Sequence, residues 1–550
     1  MRLRILLVIG WAGLAGAILA APQTGAAGAA AITPEGIFRH VRVLASDEFE
    51  GRAPGTAGEE KTVAYLTAEL QKIGLQPGNP DGSFVQQVPS VGFTATPMLA
   101  FSVGGQRSEL TAGTDFVAAS HRLEPDVAVR DSAVVFVGYG IVAPEYGWDD
   151  YKDVDVRGKT ILMLIGDPPI PDPADPTRLD PAMFKGRAMT YYGRWTYKFE
   201  IAARKGAAAA IIVHETQPAA YPWSVVQASW TGESFSLVDA QRNAGLVAVE
   251  SWITREQAVA LTQRAGRDFD GLKAAALRRD FRPVPLGARA DLSVHSQLRE
   301  VTTRNVLGRL PGADPKLRDE VLIYSAHWDH LGRDPRRQGD PICHGARDNA
   351  SGVGAMLEIA RAFQTSPERP RRSVLFLFPT LEEKGLLGAR YYAGHPLWPL
   401  AGTVAVLNKD VLNPDGPTRD ISFTGEDDST LVDRLRQYAA AQGRRVTPDP
   451  KPENGSAYRS DHFGFIKVGI PALDLGYGLD FVGRPEGWGL QRLLDYIAHD
   501  YHKPGDNVKP DWTFEGGAQD AQLLFAIGLD VANREGRPAW KAGSGPPGGW

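Results

Sequence analysis

The sequence predicts an α/β fold, a mixed and mainly parallel sheet with helices on both faces, carrying an inserted β-rich module. Three observations predict it. At 550 residues the chain is too long for one ordinary core. After Arg304, short apolar runs alternate with helical stretches: Val321 to Ala326, Gly352 to Phe363, Val374 to Phe378, Gly385 to Tyr392 and Val404 to Leu407. Between 130 and 290 the rhythm changes to β-rich runs (Ala133 to Val137, Thr160 to Ile165, Ala209 to Val213, Leu246 to Val249) separated by Gly, Pro and Asp turns.

Taken in order, residues 1–31 read as a secretory signal peptide: Arg2 and Arg4, an apolar run from Ile5 to Ala21, then a small-residue tract to Ala31. The run is short for a membrane span, which needs about 20 residues. The expected product is exported, periplasmic or extracellular, with no stable membrane association after cleavage. Residues 32–129 start the main domain with a polar loop, Ser46 to Glu60, and a helix. That helix puts Val63, Leu66, Leu70 and Ile73 on one face and stops at Gly74. Residues 130–290 form the insert, 291–535 the alternating core, and 536–550 a Gly- and Pro-containing tail expected to be disordered.

Composition excludes several classes. The chain is 43% hydrophobic and 23% charged, as expected of a globular protein. Sixty basic against 65 acidic side chains leave a net charge of −5 and no electrostatic case for a nucleic-acid partner. One cysteine, Cys343, excludes an intrachain disulfide and a Cys-rich zinc module, so a metal would sit on His and carboxylates.

Seven of the eleven histidines lie between 327 and 502, and the informative ones sit where strands are expected to end. The first expected core strand ends in His327-Trp328-Asp329-His330, a spacing that lets a carboxylate fix an imidazole tautomer. Asp348 precedes a helix, where such a residue alone is more often a cap. Glu382 and Glu383 follow an apolar strand and repel each other unless a cation is present or water screens them. Asn408-Lys409-Asp410 and Tyr501-His502 complete the series. Each is ambiguous alone; the ordered set of five carries the signal. Two divalent ions side by side need a bridging carboxylate, further ligands, and a free carboxylate for the water proton.

Other signals are weaker. Gly138-Tyr139-Gly140 lacks the third glycine of a dinucleotide loop, and neither Gly-x-Ser-x-Gly nor His-Glu-x-x-His occurs. Ser460-Asp461-His462 reads as pocket or packing structure rather than a triad, because neighbours in sequence need not meet in space. His330, Cys343 and His344 are surplus to the five-ligand set.

The ordered motifs His-x-Asp, Asp-Asn-x-Ser-Gly, Glu-Glu-x-Gly-Leu-Leu-Gly, Asn-x-Asp and Tyr-His-x-Pro-x-Asp resemble those of the co-catalytic di-zinc exopeptidases. That family includes secreted leucine aminopeptidases, aminopeptidase Y and glutamate carboxypeptidases, and the resemblance covers most of residues 33 to 530. It implies two Zn2+ per chain, with His327 and Asp410 on one, Glu383 and His502 on the other, and Asp348 bridging. It further implies Glu382 as general base, Asp329 as the partner of His327, and Tyr501 as a donor to the oxyanion. The insert would be a protease-associated domain and the substrate a peptide with a free amino terminus. Carboxypeptidases for acidic dipeptides and one-zinc glutaminyl cyclases share the scaffold; so do non-catalytic receptor-like relatives, although every ligand position is filled here. Lys409 departs from the apolar residue common there, and the connection from Gly476 to His499 is long enough to form a lid.

Overall fold

The computed structural model describes residues 26–546. Most of the expected signal peptide lies outside those residues; its last part, Ala26–Ala30, forms a short helix, and Ala29 and Ala31 pack on the core. Among the described residues no helix is long and apolar enough to cross a membrane.

Helix α1 (Pro34–Leu44) begins where Thr33 accepts from the Gly36 N–H and Pro34 supplies a preset φ, and it buries Ile37, Val41 and Leu44. Helix α2 (Ala57–Ile73) is capped by Thr56 and closed by Gly74 at φ 91°. It starts inside the expected polar loop because Thr56 and the acidic pair Glu59 and Glu60 form a favourable first turn. The rest of that loop holds a 3₁₀ segment, Asp47–Arg52.

One hydrogen-bonded sheet runs through the molecule. Its strands include β1 (Val85–Val103), β2 (Phe116–Ala119), β3 (Asp126–Phe136), β4 (Thr160–Leu164), β5 (Ala209–His214), β6 (Val249–Thr254), β7 (Val284–Leu310), β8 (Val321–Ser325), β9 (Ser373–Phe378), β10 (Thr403–Asn408) and β11 (Ala472–Asp474). The main path orders them β11-β10-β8-β9-β7-β3-β4-β5-β6-β2. Pairing is parallel from β11 to β9 and from β3 to β6. Strand β7 joins the two parallel halves antiparallel to both, with β1 alongside it from Val85 to Val103.

Strands β8 and β9 are unbroken apolar runs because both faces are covered. Leu322, Tyr324, Val374 and Phe376 point to the layer of α1, α4 (Gly352–Thr365) and α7 (Glu515–Asn533). Val321, Ile323, Leu375 and Leu377 point to the layer of α5 (Leu387–Gly394) and the short helix His462–Ile466. This is the α/β architecture expected from the sequence.

The second core takes in Leu99, Phe101, Phe116 and Val127, outside the expected 130–290 span, and runs to Val294. The reason is that β1 and β7 continue from one core into the other, so no turn marks the crossing. This lobe also contains helices, among them α3 (Trp195–Arg204), and its last parallel strand begins at Val249 rather than Leu246. It rests on the other core through Lys467–Glu200 (2.8 Å) and the Tyr191–Phe463 ring contact (4.8 Å). Part of the expected disordered tail is docked by single long side chains: Trp540 donates to the Gly469 carbonyl (2.9 Å) and Arg537 pairs with Glu320 (2.8 Å).

Candidate active site

Strand β8 lies between β9 and β10, so the loops leaving their carboxyl ends are neighbours. The β8 loop brings His327, the β9 loop Glu382 and Glu383, and the β10 loop Asp410. Asp348 comes from the turn before α4, and His502 from the loop after α6 (Trp488–His499). His327 Nε2 lies 3.3 Å from Asp410 Oδ1, 3.4 Å from Asp348 Oδ1 and 3.8 Å from Glu382 Oε2. His502 Nε2 lies 3.3 Å from Asp348 Oδ2 and 3.1 Å from Glu383 Oε2. The two oxygens of Asp348 therefore face different histidines, and each histidine has a further carboxylate of its own. All five expected ligand residues meet at one place.

Donor chemistry fits a metal pair. Among the described residues, His327, Glu382 and Asp410 form one group with ligand atoms within 4.8 Å of one another, and His330, Asp348 and Glu383 form another. His330 was surplus in the sequence reading. Here it is fully buried, its Nδ1 is 2.6 Å from Glu383 Oε1, and its Nε2 has no partner.

Asp329 sits differently from expectation. His327 Nδ1 is nearer the Asp329 backbone carbonyl (3.1 Å) than its carboxylate (3.7 Å). The carboxylate instead accepts from the Glu382 backbone N–H (3.1 Å), which ties the loop of Glu382 to the loop of His327. Tyr501 stacks on the His502 ring at 3.8 Å, and burial raises its phenol pKa well above 10. Lys409 is buried, its amine donating to the Leu475 and Gly476 carbonyls at the base of the 476–499 connection. Ser460 accepts from Asn408 (2.8 Å) and His462 Nε2 faces Thr424 (3.5 Å), so that motif is packing rather than a triad. His344 turns to Asp340 and the Ala45 carbonyl.

Two further residues support the site, neither given a role by the sequence alone. Asp506 accepts the Arg347 and Asp348 backbone N–H groups at 2.9 and 3.0 Å and so fixes the turn that aims Asp348. Arg52, buried and far away in sequence, donates to the carbonyls of Trp328, His344 and Gly345, clamping the loops of His327 and Asp348 together.

Burial opposes ionisation of Asp348, but His327 and His502 hold its carboxyl well below the usual range. Burial disfavours the charged form of His502 too; Glu383 and Asp348 outweigh it and raise the imidazole to about 10. His327 is likewise raised, by Glu382 and Asp410 against burial. Burial, with Asp410 and Glu383 adding, pushes Glu382 well above the carboxylate range. A proton thus occupies each histidine Nε2 at neutral pH when no other cation does. Metal binds the neutral imidazole, so loading should release close to two protons per chain near pH 7. Affinity should rise with pH toward about 10, where His502 loses its proton unaided. Calorimetry in buffers of different ionisation enthalpy measures this; a metal affinity flat from pH 6 to 9 would contradict it.

A buried constellation of His and carboxylates at the carboxyl ends of parallel strands defines a metallohydrolase, and the comparisons specify a metallopeptidase. Residues 305–526 match the model of Peptidase family M28. It is 26% identical over 471 residues to a probable leucine aminopeptidase 2 of Aspergillus oryzae, covering 83% of this chain and 75% of that one. It is 30% identical over 192 residues to leupeptin-inactivating enzyme 1 of Streptomyces exfoliatus, covering 34% of this chain and 40% of that one. The fold is similar to an aminopeptidase from Aneurinibacillus sp. strain AM-1 at 19% identity and a TM-score of 0.50, over 92% of this chain and 96% of that one. The protein is a zinc-type metallopeptidase with aminopeptidase relatives.

Proposed function

We propose that the protein is an exported di-zinc aminopeptidase that removes residues from peptides with a free amino terminus. One observation carries the metal count: Asp348 presents one oxygen to His327 and the other to His502. His327 and Asp410 would hold one zinc, Glu383 and His502 the other, and Asp348 would bridge them. Zinc in such a pair supplies Lewis acidity and lowers the pKa of bound water to about 7.

The chain's own groups do the rest. Glu382 is the carboxyl in this cluster not needed as a ligand, and its raised pKa suits a group that takes a proton and returns it to the leaving amine. Asp329 holds the Glu382 loop through its backbone N–H. Tyr501, neutral at working pH, would donate its O–H to the developing oxyanion. His330 and Asp506 hold Glu383 and the Asp348 turn in place. Export rests on Arg2, Arg4 and the apolar run that follows, and the β1-to-β7 insert would be a protease-associated domain.

The carboxylate-rich site suits a terminal ammonium, which pairs with carboxylate or coordinates once deprotonated, its pKa being about 7.7–8.0. Free peptides should therefore be trimmed from the amino end. Their acetylated counterparts should be cut at least about tenfold more slowly, because the scissile carbonyl loses its anchor. Amino-acid release from paired free and acetylated peptides, with zinc content measured in parallel, tests this. Equal rates for both, or loss of residues from the carboxyl end, would overturn the aminopeptidase reading.

A further inference from the structure

The loop that carries Glu382 and Glu383 is held in a conformation its residues do not favour. Leu381, immediately before Glu382, has φ 54°, and Leu386 has φ 61°. Bulky side chains seldom occupy that left-handed region, and they stay there only where the surroundings over-determine them. Hydrogen bonds close the loop on itself: the Leu387 N–H donates to the Leu381 carbonyl and the Leu386 N–H to the Glu382 carbonyl, both at 3.0 Å. Those bonds fix the shape of the turn, not its place in the molecule. Glu383 is oriented by His330 at 2.6 Å and His502 at 3.1 Å. Glu382 lies 3.8 Å from His327, so the backbone it shares with Leu381 sets its aim.

Packing places that backbone. The side chain of Leu381 is fully buried in a small apolar cluster with Leu387, Val301 and Phe235, on which Leu237 also packs, and Leu386 packs on the second core. Phe235 and Leu237 come from the insert, on the short strand Ser234–Leu237, which lies against α5 and pairs antiparallel with β1 from Phe93 to Ser90. Phe235 and Arg299 both stand opposite Gly92, and Val301 is two residues past Arg299. Phe235 and Val301 therefore share the face that meets the loop. Gly92 leaves that face open between them: a Cβ there would lie 3.3 Å from Phe235 Cε1.

The strand is itself fastened. Ser236 Oγ, on its other face, is 2.7 Å from His121 Nδ1, and the Leu237 carbonyl accepts from the Asn243 side chain at 2.8 Å. Arg299 holds Glu233, just before the strand, through two contacts of 3.0 Å.

We propose that Phe235 is a positioning residue: through the cluster around Leu381, the insert holds the Glu382 loop in its left-handed turn and aligns the proton shuttle. The catalytic consequence rests on the role given to Glu382 above; the support of the loop does not. A displacement of about 1 Å in such a group can cost about 100-fold in rate.

The test uses the full-length protein. In the zinc-loaded form, Phe235→Ala should lower kcat on an unblocked leucyl peptide by about tenfold or more, with KM within about twofold and zinc retained. Phe235→Leu keeps most of the apolar volume and should recover most of the loss. Leu381→Ala opens the same cluster from the loop's side, so the double variant with Phe235→Ala should cost little more than either change alone. Hydrogen exchange on the metal-free protein reads the loop without turnover. The Leu386 and Leu387 amides should exchange about tenfold or more faster in Phe235→Ala, while Leu322 to Tyr324 of β8 stay protected. A merely structural role would instead speed both regions together and leave kcat per folded molecule unchanged, which would overturn the proposal. Loop exchange unchanged in folded Phe235→Ala would overturn it too. Should Phe235→Ala not fold, Leu381→Ala decides alone by the same two readouts. Glu382→Gln keeps the two readings apart. A slow Glu382→Gln beside a Phe235→Ala of normal kcat would overturn the positioning role. Normal kcat in both, with the loop loosened in Phe235→Ala, would overturn the proton-shuttle reading and leave the support of the loop standing.

Discussion

Glu382→Gln should lower turnover by about 10²- to 10⁴-fold while the protein keeps its zinc. Glu382 approaches His327 at 3.8 Å, farther than Asp348 or Asp410, and it has Asp410, Glu383 and Asp461 as acidic neighbours. Burial raises the pKa of Glu382, and the nearby carboxylates of Asp410, Glu383 and Asp461 add to it. Glutamine matches glutamate in shape and preserves the backbone bond to Asp329, but it cannot accept the water's proton. The loss should therefore appear in kcat, with zinc content and thermal stability close to those of the unmodified protein. Metal analysis beside steady-state kinetics reads both. A loss below tenfold with full zinc would remove Glu382 from the proton-transfer role, and a loss of zinc would make it a ligand.

Much of this site was legible because its chemistry sits at the ends of regular elements. The runs Val321 to Ala326 and Val374 to Phe378 are apolar on both faces, which marks strands buried on both sides of a sheet, and the residues just past them must emerge at its edge. Other parts were illegible for physical reasons. Arg52 acts through backbone carbonyls, which every residue has, so no residue type at 328, 344 or 345 announces it. Asp506 likewise accepts backbone N–H groups, and only its place in the Tyr-His-x-Pro-x-Asp motif pointed to it. His330 follows His327 by three residues in the same loop, yet nothing local shows that it turns toward Glu383. The crossing of β1 and β7 between two cores is invisible for a related reason: alternation continues through it while the packing partners change.

Asp348→Ala should empty both metal positions, whereas His502→Ala should weaken mainly one. Asp348 is the residue whose two oxygens face the two expected ligand histidines, His327 and His502; His502 itself faces the carboxylates of Asp348 and Glu383. A bridging carboxylate also offsets repulsion between the ions it joins. Unit charges 4 Å apart interact by about 4 kcal/mol at an effective dielectric of 20, and doubling both charges quadruples that figure. Loss of this offset should cost more than the about 10–100-fold in affinity typical of changes to residues that merely hold a ligand in place. Asp348→Asn keeps the shape and the backbone bond from Asp348 to Asp506 while removing the charge, so it separates neutralisation from packing. Both Asp348 variants should retain less than one zinc per chain after dialysis and lose nearly all activity. His502→Ala should retain about one. Circular dichroism and thermal unfolding of the metal-free forms would show whether the fold survives, as the anchoring of this turn by Asp506 and Arg52 leads one to expect. Two zinc ions retained by folded Asp348→Asn and Asp348→Ala would exclude the bridge and leave two independent sites, in which His330 would become the natural third ligand beside Glu383 and His502.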